Sequence, residues 1–308
     1  MKYIFIGGTR RGFKVLETLL ILGKIPDYCF ILKEDNHEES IYSTKLSELA
    51  ESNCIPYSIK KKIDKSDYSI FKELIRDFAL VCGWRTLIDY KLAANFKLGF
   101  LAAHDSLLPK YRGFAPINWS VINGEKTTGV TLFKINESDA DSGDILAQNK
   151  VEILPNDYAI DVYEKIIIET VKLITNFVET FEHGILNFIK QNNSKATYTC
   201  KRLPEDGKIC WSKSSTEVYN LIRGLAFPYP GAYVSFNNAK YRIRKAELGE
   251  SNGKYFAGNI PGRIIKISDK GAEVVCRKGT ILLTEWEHDE KNIIENPSKR
   301  IQSYSTTL

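Results

Sequence analysis

Short apolar runs and longer stretches with apolar residues at helical spacing take turns along the first half of this chain. Lys2 to Ile6 is an apolar run closed by Gly7-Gly8, and Phe13 to Leu22 is apolar at helical spacing, so the pattern predicts strand, glycine turn, helix. Tyr28 to Leu32 predicts a second strand, Ser43 to Glu51 a helix, Pro56 to Ile59 a short strand and Tyr68 to Phe78 another helix. Leu80 to Cys82 and Leu98 to Ala103 predict two more strands, which end at Gly83-Trp84 and at His104. Ala115 to Asn123 predicts a helix with Trp119 on its inner face, and Thr127 to Ile135 alternates as a strand. Tyr158 to Phe181 keeps helical spacing without Pro or Gly and predicts a helix of about six or seven turns. Strands alternating with helices imply βαβ units, hence a mostly parallel, Rossmann-like α/β sheet covered by helices.

The pattern changes in the second half. Residues 189–207 (IKQNNSKATYTCKRLPEDG) are polar and punctuated and predict a linker after a first domain over 1–188. Beyond it, over 208–308, come a short helix (Thr216 to Leu225), the turn PYPG at 228–231, and five β-like runs. These are Ala232 to Phe236, Lys240 to Ala246, Gly262 to Ile267, Ala272 to Cys276 and Thr280 to Trp286, and their spacing with glycine turns predicts a small OB-like β-barrel.

Composition narrows the class. At 308 residues, 43% hydrophobic and 26% charged, the chain is ordinary globular material long enough for two cores. No apolar run reaches the roughly 20 residues that span a bilayer, and the apolar part of MKYIFIGGTRRG is too short for a signal peptide, so a cytoplasmic protein without a membrane partner is expected. Six scattered cysteines without a Cys-x-x-Cys pair read as reduced thiols, and no His/Cys cluster has ligand spacing, so no metal is expected. A net charge of +5 spread along the chain favours anionic ligands mildly and does not indicate nucleic acid.

Four segments carry candidate chemistry. His104, one of four histidines, sits at the carboxyl end of a predicted strand and opens HDSLLPKYRGFAPINW (104–119), where Pro109 stiffens the loop, Gly113 frees it and Arg112 offers a planar donor fork. Asp139 to Asp144 (DADSGD) is either a solvated turn or the source of a carboxylate that meets His104 across neighbouring strand ends. GGTRRG (7–12) lacks the dinucleotide-binding spacing; it is either a tight turn or a place where Thr9, Arg10 and Arg11 meet a substrate phosphate. VCGWRTLI (81–88) is either packing or the frame of a flat heteroaromatic cofactor.

Taken together, HDSLLPKYRGFAPINW, NGEKTTGVTLF (123–133) and DADSGDILAQ (139–148) resemble the formyltransferase family that uses 10-formyltetrahydrofolate. RLPEDGKICW (202–211) and YNLIRGLAFPYPGAY (219–233) are similar to the carboxyl-terminal, OB-like domain of methionyl-tRNA and nucleotide-sugar formyltransferases. The resemblance implies that His104 and Asp141 are catalytic. It implies that Trp84, Arg85, Thr86, Leu87 and Ile88 hold the pteridine of the 10-formyltetrahydrofolate donor, with Ser138, Asp139 and Ala140 closing the other side. Thr9, Arg10, Lys110, Tyr111, Arg112 and Gly113 are then the expected acceptor-binding residues.

The resemblance breaks at one position. The family's catalytic Asn, two residues before the His, is Ala102 here, which removes a side-chain donor of the kind worth about 100- to 1000-fold in rate. That leaves three alternatives: a subtype in which another donor acts, a weakened or engineered variant, or a non-catalytic folate- or RNA-binding protein on this scaffold. As acceptor, the resemblance favours a small-molecule nucleotide-sugar over methionyl-tRNA, because QNNSKATYTCKR carries only three basic residues and a tRNA binder needs a basic stripe. A UDP-linked 4-amino sugar on a surface-glycan route, such as that to pseudaminic acid, is the leading expectation; a homodimer is left open.

Overall fold

A computed structural model describes residues 1–35, 41–72, 76–137, 139–184 and 186–308. The chain divides into two compact units. The first comprises Met1–Gly113, Thr128–Val151 and Glu164–Thr199; the second comprises Phe114–Thr127, Glu152–Tyr163 and Cys200–Leu308. The second unit therefore draws on two segments from within residues 1–188, and the expected linker is shared out at Thr199 and Cys200.

In the first unit, strands β1 (Tyr3–Gly7), β2 (Tyr28–Leu32), β3 (Tyr57–Lys60), β4 (Phe78–Cys82) and β5 (Phe100–His104) form a parallel sheet in the order β3-β2-β1-β4-β5. Helices α1 (Thr9–Ile21), α2 (Ser43–Ser52) and α3 (Tyr68–Lys72) lie between them in the chain. β1 and β4 are buried along their whole length, as a strand covered on both faces requires, and this is why they read as unbroken apolar runs. Of the helix expected over Tyr68 to Phe78, Tyr68–Lys72 is helical, residues 73–75 lie outside the described residues, and Phe78 belongs to β4. Phe78 already pairs with Tyr3 in the sheet and stacks on its ring at 5.4 Å, and burying such a side chain contributes about 1.5–3 kcal/mol, more than helix propensity offers one residue.

After the two-residue strand β6 (Arg112–Gly113) and helix α4 (Pro116–Ile122), the sheet is extended by β7 (Thr127–Lys134) and β8 (Ile145–Glu152), with β7 antiparallel to β5. β8 is half-exposed and polar (ILAQNKVE), which hides its strand character in the sequence. Helix α5 (Ala159–Glu182) follows, then β9 (Tyr198–Thr199), which pairs with β6. The fold is Rossmann-like, as its alternating pattern predicts.

The second unit contains α6 (Ser215–Leu225) and the strands β10 (Ala232–Phe236), β11 (Ala239–Leu248), β12 (Ile264–Ser268), β13 (Gly271–Val275), β14 (Thr280–His288) and β15 (Ile293–Glu295). They form an antiparallel sheet in the order β10-β11-β14-β13-β12, with β15 on β14, around a core that includes Trp286, Ile243, Val274 and Leu283. α6 begins at a capping box in which Ser214 and Glu217 satisfy each other's backbone donors. α4 meets α6 at Gly224, where a Cβ would fall 2.6 Å from Ile122, so only glycine allows that approach. Among the described residues no helix is long and apolar enough to cross a membrane.

Candidate active site

The carboxyl ends of β1, β4 and β5 lie side by side, with Gly7 opposite Cys82 and Cys82 opposite Ala103. The chain runs from β1 outward to β2 and β3, then returns to add β4 and β5 on the other side of β1. The direction of winding thus switches between β1 and β4, the place where open α/β sheets receive their ligands. The loops after β1, β4 and β5 all emerge there. Gly83 adopts φ +74, and a Cβ on it would fall 2.3 Å from the Gly8 carbonyl, so glycine is needed for the first two loops to come together. Thr9, the first residue of α1 after that turn, holds φ +60, a strained conformation for a β-branched residue.

β5 delivers His104 as its last residue, facing Thr131 of β7, with the Phe133 ring edge-on at 6.5 Å. Its Nε2 lies 2.9 Å from the Tyr111 carbonyl oxygen. A carbonyl only accepts, so Nε2 carries the proton and Nδ1 is the open position of the neutral ring. Nδ1 faces Asp141 Oδ2 at 3.6 Å, beyond hydrogen-bond length but close enough to stabilise a protonated imidazole. The loop that returns the Tyr111 carbonyl to the ring is pinned along its length. The Thr131 hydroxyl donates to the Ser106 carbonyl and accepts from the Leu108 amide, and Gln148 Nε2 donates to the Leu108 carbonyl.

Asp141 sits in left-handed backbone, φ +57, and its Oδ2 accepts the Gly113 amide at 2.9 Å. Gly143 follows two residues later, where a Cβ would overlap the Lys134 carbonyl at 1.6 Å; no other residue fits that turn. Segment 189–199, read from sequence as linker, holds these loops together. Gln191 donates through Nε2 to the carbonyls of Asp141 (2.8 Å) and Gly143 (2.6 Å), and the Thr197 hydroxyl accepts the Tyr111 amide at 2.8 Å. Gln191 and Thr197 lie outside every quoted motif, while Thr131 and Gln148 fall within NGEKTTGVTLF and DADSGDILAQ without a role having been given to them. The signal of all four is their partners across the fold.

Several expected acceptor-binding residues have partners inside the protein. Arg112 is 1% exposed, and its guanidinium donates to Gln191 Oε1, Asn193 Oδ1 and the Tyr198 hydroxyl. Its fork is therefore engaged within the protein. Arg10 forms an ion pair with Glu164. Arg11 is buried in an ion pair with Asp105, the residue after His104, and thereby ties α1 to the histidine loop. Burial pushes the neighbouring Cys82 thiol up, with Arg11 only partly offsetting it. Tyr111 and Gly113 contribute backbone groups to the His104–Asp141 frame, and Lys110 is exposed on the same loop.

The expected folate loop follows β4. Trp84 and Ile88 pack on an apolar cluster that includes Val81, Ala102 and Phe133, and Leu87 is 86% exposed. The Trp84 indole nitrogen is buried without an acceptor among the described residues. Thr86 donates to the Lys61 carbonyl, while no backbone hydrogen bond among the described residues engages Thr86, Leu87 or Ile88. Arg85, Asp139 and Ala140 are exposed; Ser138 lies outside the described residues. No group of three metal-ligating side chains occurs among the described residues.

Within the second unit, a cleft of about 120 Å³ is lined by Asn118, Arg202, Leu203, Leu225, Tyr229 and neighbouring residues. The Arg202 guanidinium lies 5.1 Å over the Trp119 ring, whose indole N–H donates to the Cys200 carbonyl. Burial draws Arg202 below the usual arginine range, with the charge of Asp206 partly offsetting it.

Comparison with known proteins identifies the family. The profile of the formyl transferase family matches residues 34–178, and that of the formyl transferase C-terminal domain matches residues 202–298. The chain is 28% identical over 298 residues to a methionyl-tRNA formyltransferase of Mycoplasma mycoides, covering 96% of this chain and 92% of that protein. It is 29% identical over 284 residues to the bifunctional polymyxin resistance protein ArnA of Wigglesworthia glossinidia, covering 92% of this chain but 40% of that protein. The fold is that of an N-formyltransferase from Helicobacter canadensis, solved with folinic acid and dTDP-3-aminofucose, at a TM-score of 0.71, 23% identity, and coverage of 92% of this chain and 99% of that one. With the His104 frame in the matched amino-terminal segment and the strand-rich segment matched as well, the chain belongs to the formyltransferase family, the enzymes that transfer formyl groups.

Proposed function

We propose that this enzyme transfers the formyl group of 10-formyltetrahydrofolate to the amine of a nucleotide-linked amino sugar. The observation that carries the reading is the His104–Asp141 pair, held by the Tyr111 carbonyl and the Gly113 amide at the carboxyl edge of the sheet. The residues of the β4 loop fit a folate: Trp84 and Ile88 offer an apolar wall with an unmet indole N–H, and the backbone of Thr86 to Ile88 is open to a heterocycle's donors and acceptors. Arg85, Asp139 and Ala140, all exposed, complete the proposed donor site.

When bound, the folate supplies a formyl carbon open to attack by an amine. His104 Nδ1, the unprotonated nitrogen, takes the proton that the amine loses as its nitrogen bonds to that carbon. Asp141 Oδ2 then faces an N–H instead of a lone pair and stabilises the imidazolium, whose other N–H already donates to Tyr111. The same proton, returned from Nδ1, goes to the nitrogen that gives up the formyl group. One C–N bond forms, one breaks, and the enzyme ends as it began.

For the acceptor, the Arg202 cleft of the second unit supports a phosphorylated ligand. At about 120 Å³ the cleft is a subsite, since whole-ligand pockets usually run to about 300 Å³ or more. The Helicobacter canadensis structure, with its dTDP-linked amino sugar, favours the sugar reading. The Mycoplasma mycoides relative keeps methionyl-tRNA as the second reading. Incubation with 10-formyltetrahydrofolate and either UDP- and dTDP-linked amino sugars or methionyl-tRNA separates the two, with mass spectrometry detecting the added formyl group. Formylation of a nucleotide sugar is the expected result; formylation of methionyl-tRNA alone overturns the acceptor, and no transfer to any amine overturns the reaction.

A further inference from the structure

The geometry points to Gln191 as a positioning residue for the formyl transfer, with the buried Arg112 as the lock that sets it; the inference rests on His104 and Asp141 being the reacting pair. Gln191 is 6% exposed and has a side chain whose two ends cannot be exchanged. Its Oε1 receives Nη2 and Nε of Arg112 at 2.8 and 3.2 Å, and a guanidinium only donates. Its Nε2 lies within 2.8 Å of two carbonyl oxygens, those of Asp141 and Gly143, which only accept. A flipped amide sets donor against donor and acceptor against acceptor at once, so one orientation is fixed from both sides.

That orientation bears on the reacting atoms. Asp141 holds left-handed backbone, and the amide of Gln191 engages its own carbonyl, so Gln191 fixes the peptide from which the carboxylate projects. Arg112 holds the other half of the frame. Its neighbours are Tyr111, whose carbonyl takes the His104 proton, and Gly113, whose amide holds Asp141 Oδ2. The Arg112 backbone is pinned in turn, its amide donating to the Thr197 carbonyl and its carbonyl accepting the Thr199 hydroxyl. The Arg112–Gln191 contact therefore adds, beside the direct Gly113–Asp141 hydrogen bond, a second link between the loop that orients the histidine and the loop that carries the carboxylate.

Gln191→Glu is the discriminating variant. It keeps shape and keeps an acceptor for Arg112, but puts an acceptor against the Asp141 and Gly143 carbonyls. We expect kcat for formyl transfer to fall on the order of 100-fold, as for a displacement of about 1 Å in a reacting group, with KM for the formyl donor unchanged. Gln191→Asn, which keeps the donor on a shorter arm, should recover part of that loss. A merely structural role would lower thermal stability in both variants and leave kcat of the folded fraction intact, which overturns the inference. Should Gln191→Glu not fold, the milder Asn193→Ala removes one Arg112 partner, and hydrogen exchange at the Gly113 amide gives a second readout. Faster exchange there supports the link, and unchanged exchange overturns it. If His104→Ala and Asp141→Asn abolish transfer while Gln191→Glu does not, this inference alone fails. If His104→Ala retains activity, the reading of the reacting pair fails first.

Discussion

His104 Nδ1 lies 3.6 Å from Asp141 Oδ2 while Nε2 of the same ring donates to the Tyr111 carbonyl at 2.9 Å. With Nε2 committed, the neutral ring offers a lone pair to a carboxylate, an arrangement that becomes favourable only when a proton arrives. Removing either partner should therefore act on the chemical step. His104→Ala and Asp141→Asn are each expected to lower kcat by about 100- to 10,000-fold with the fold retained, measured by formyl transfer alongside circular dichroism.

Ala102 tests the missing donor. It lies on β5 two residues before His104, hence on the same face of the strand, paired with Val81 and Phe133. Ala102→Asn is expected to raise kcat on the order of 100-fold, since one positioned donor toward developing oxygen charge has about that effect. The buried amide should cost about 1–3 kcal/mol of stability if its partners are unmet. A rate unchanged in Ala102→Asn would show that another group already fills the role.

Arg202 should separate acceptor binding from chemistry. Arg202→Ala removes the cation held over Trp119 and is expected to raise KM for the acceptor about tenfold, the effect of about 1.4 kcal/mol, with kcat little changed. Isothermal titration with UDP or dTDP alone checks the same point, and equal affinity in wild type and variant would place the phosphate elsewhere.

The cysteines give a pH-dependent fingerprint. Burial pushes the thiols of Cys29 and Cys276 up to about 12, so both stay protonated and unreactive throughout the neutral range. Hydrogen bonds from Ser212 draw the exposed Cys210 thiol down, so its thiolate forms at lower pH than that of a free cysteine. Iodoacetamide near pH 7 should label Cys210 faster than it labels the same cysteine in the denatured chain. The difference should vanish above about pH 9, where a free thiol is also ionised. Cys29, Cys82 and Cys276 should remain unlabelled until the protein unfolds, as read by peptide mass spectrometry.

What the sequence determined by itself is whatever depends on neighbours along the chain. The parallel strands were legible because burial on both faces makes each an apolar run, and His104 and the DADSGD turn stood out by residue type and spacing. The half-buried edge strand β8 was not, since a strand wet on one side and weakly alternating looks like loop. Partners across the sheet decided the rest. Arg112 reads in sequence as a free donor fork, and only the fold shows its donors closed on Gln191, Asn193 and Tyr198. Arg11, four positions after Gly7, meets Asp105 because β1 and β5 flank β4 in one sheet, a proximity that sequence separation conceals. Hydrogen bonds and charges act over a few ångströms, so which groups satisfy each other is settled by packing and not by order along the chain.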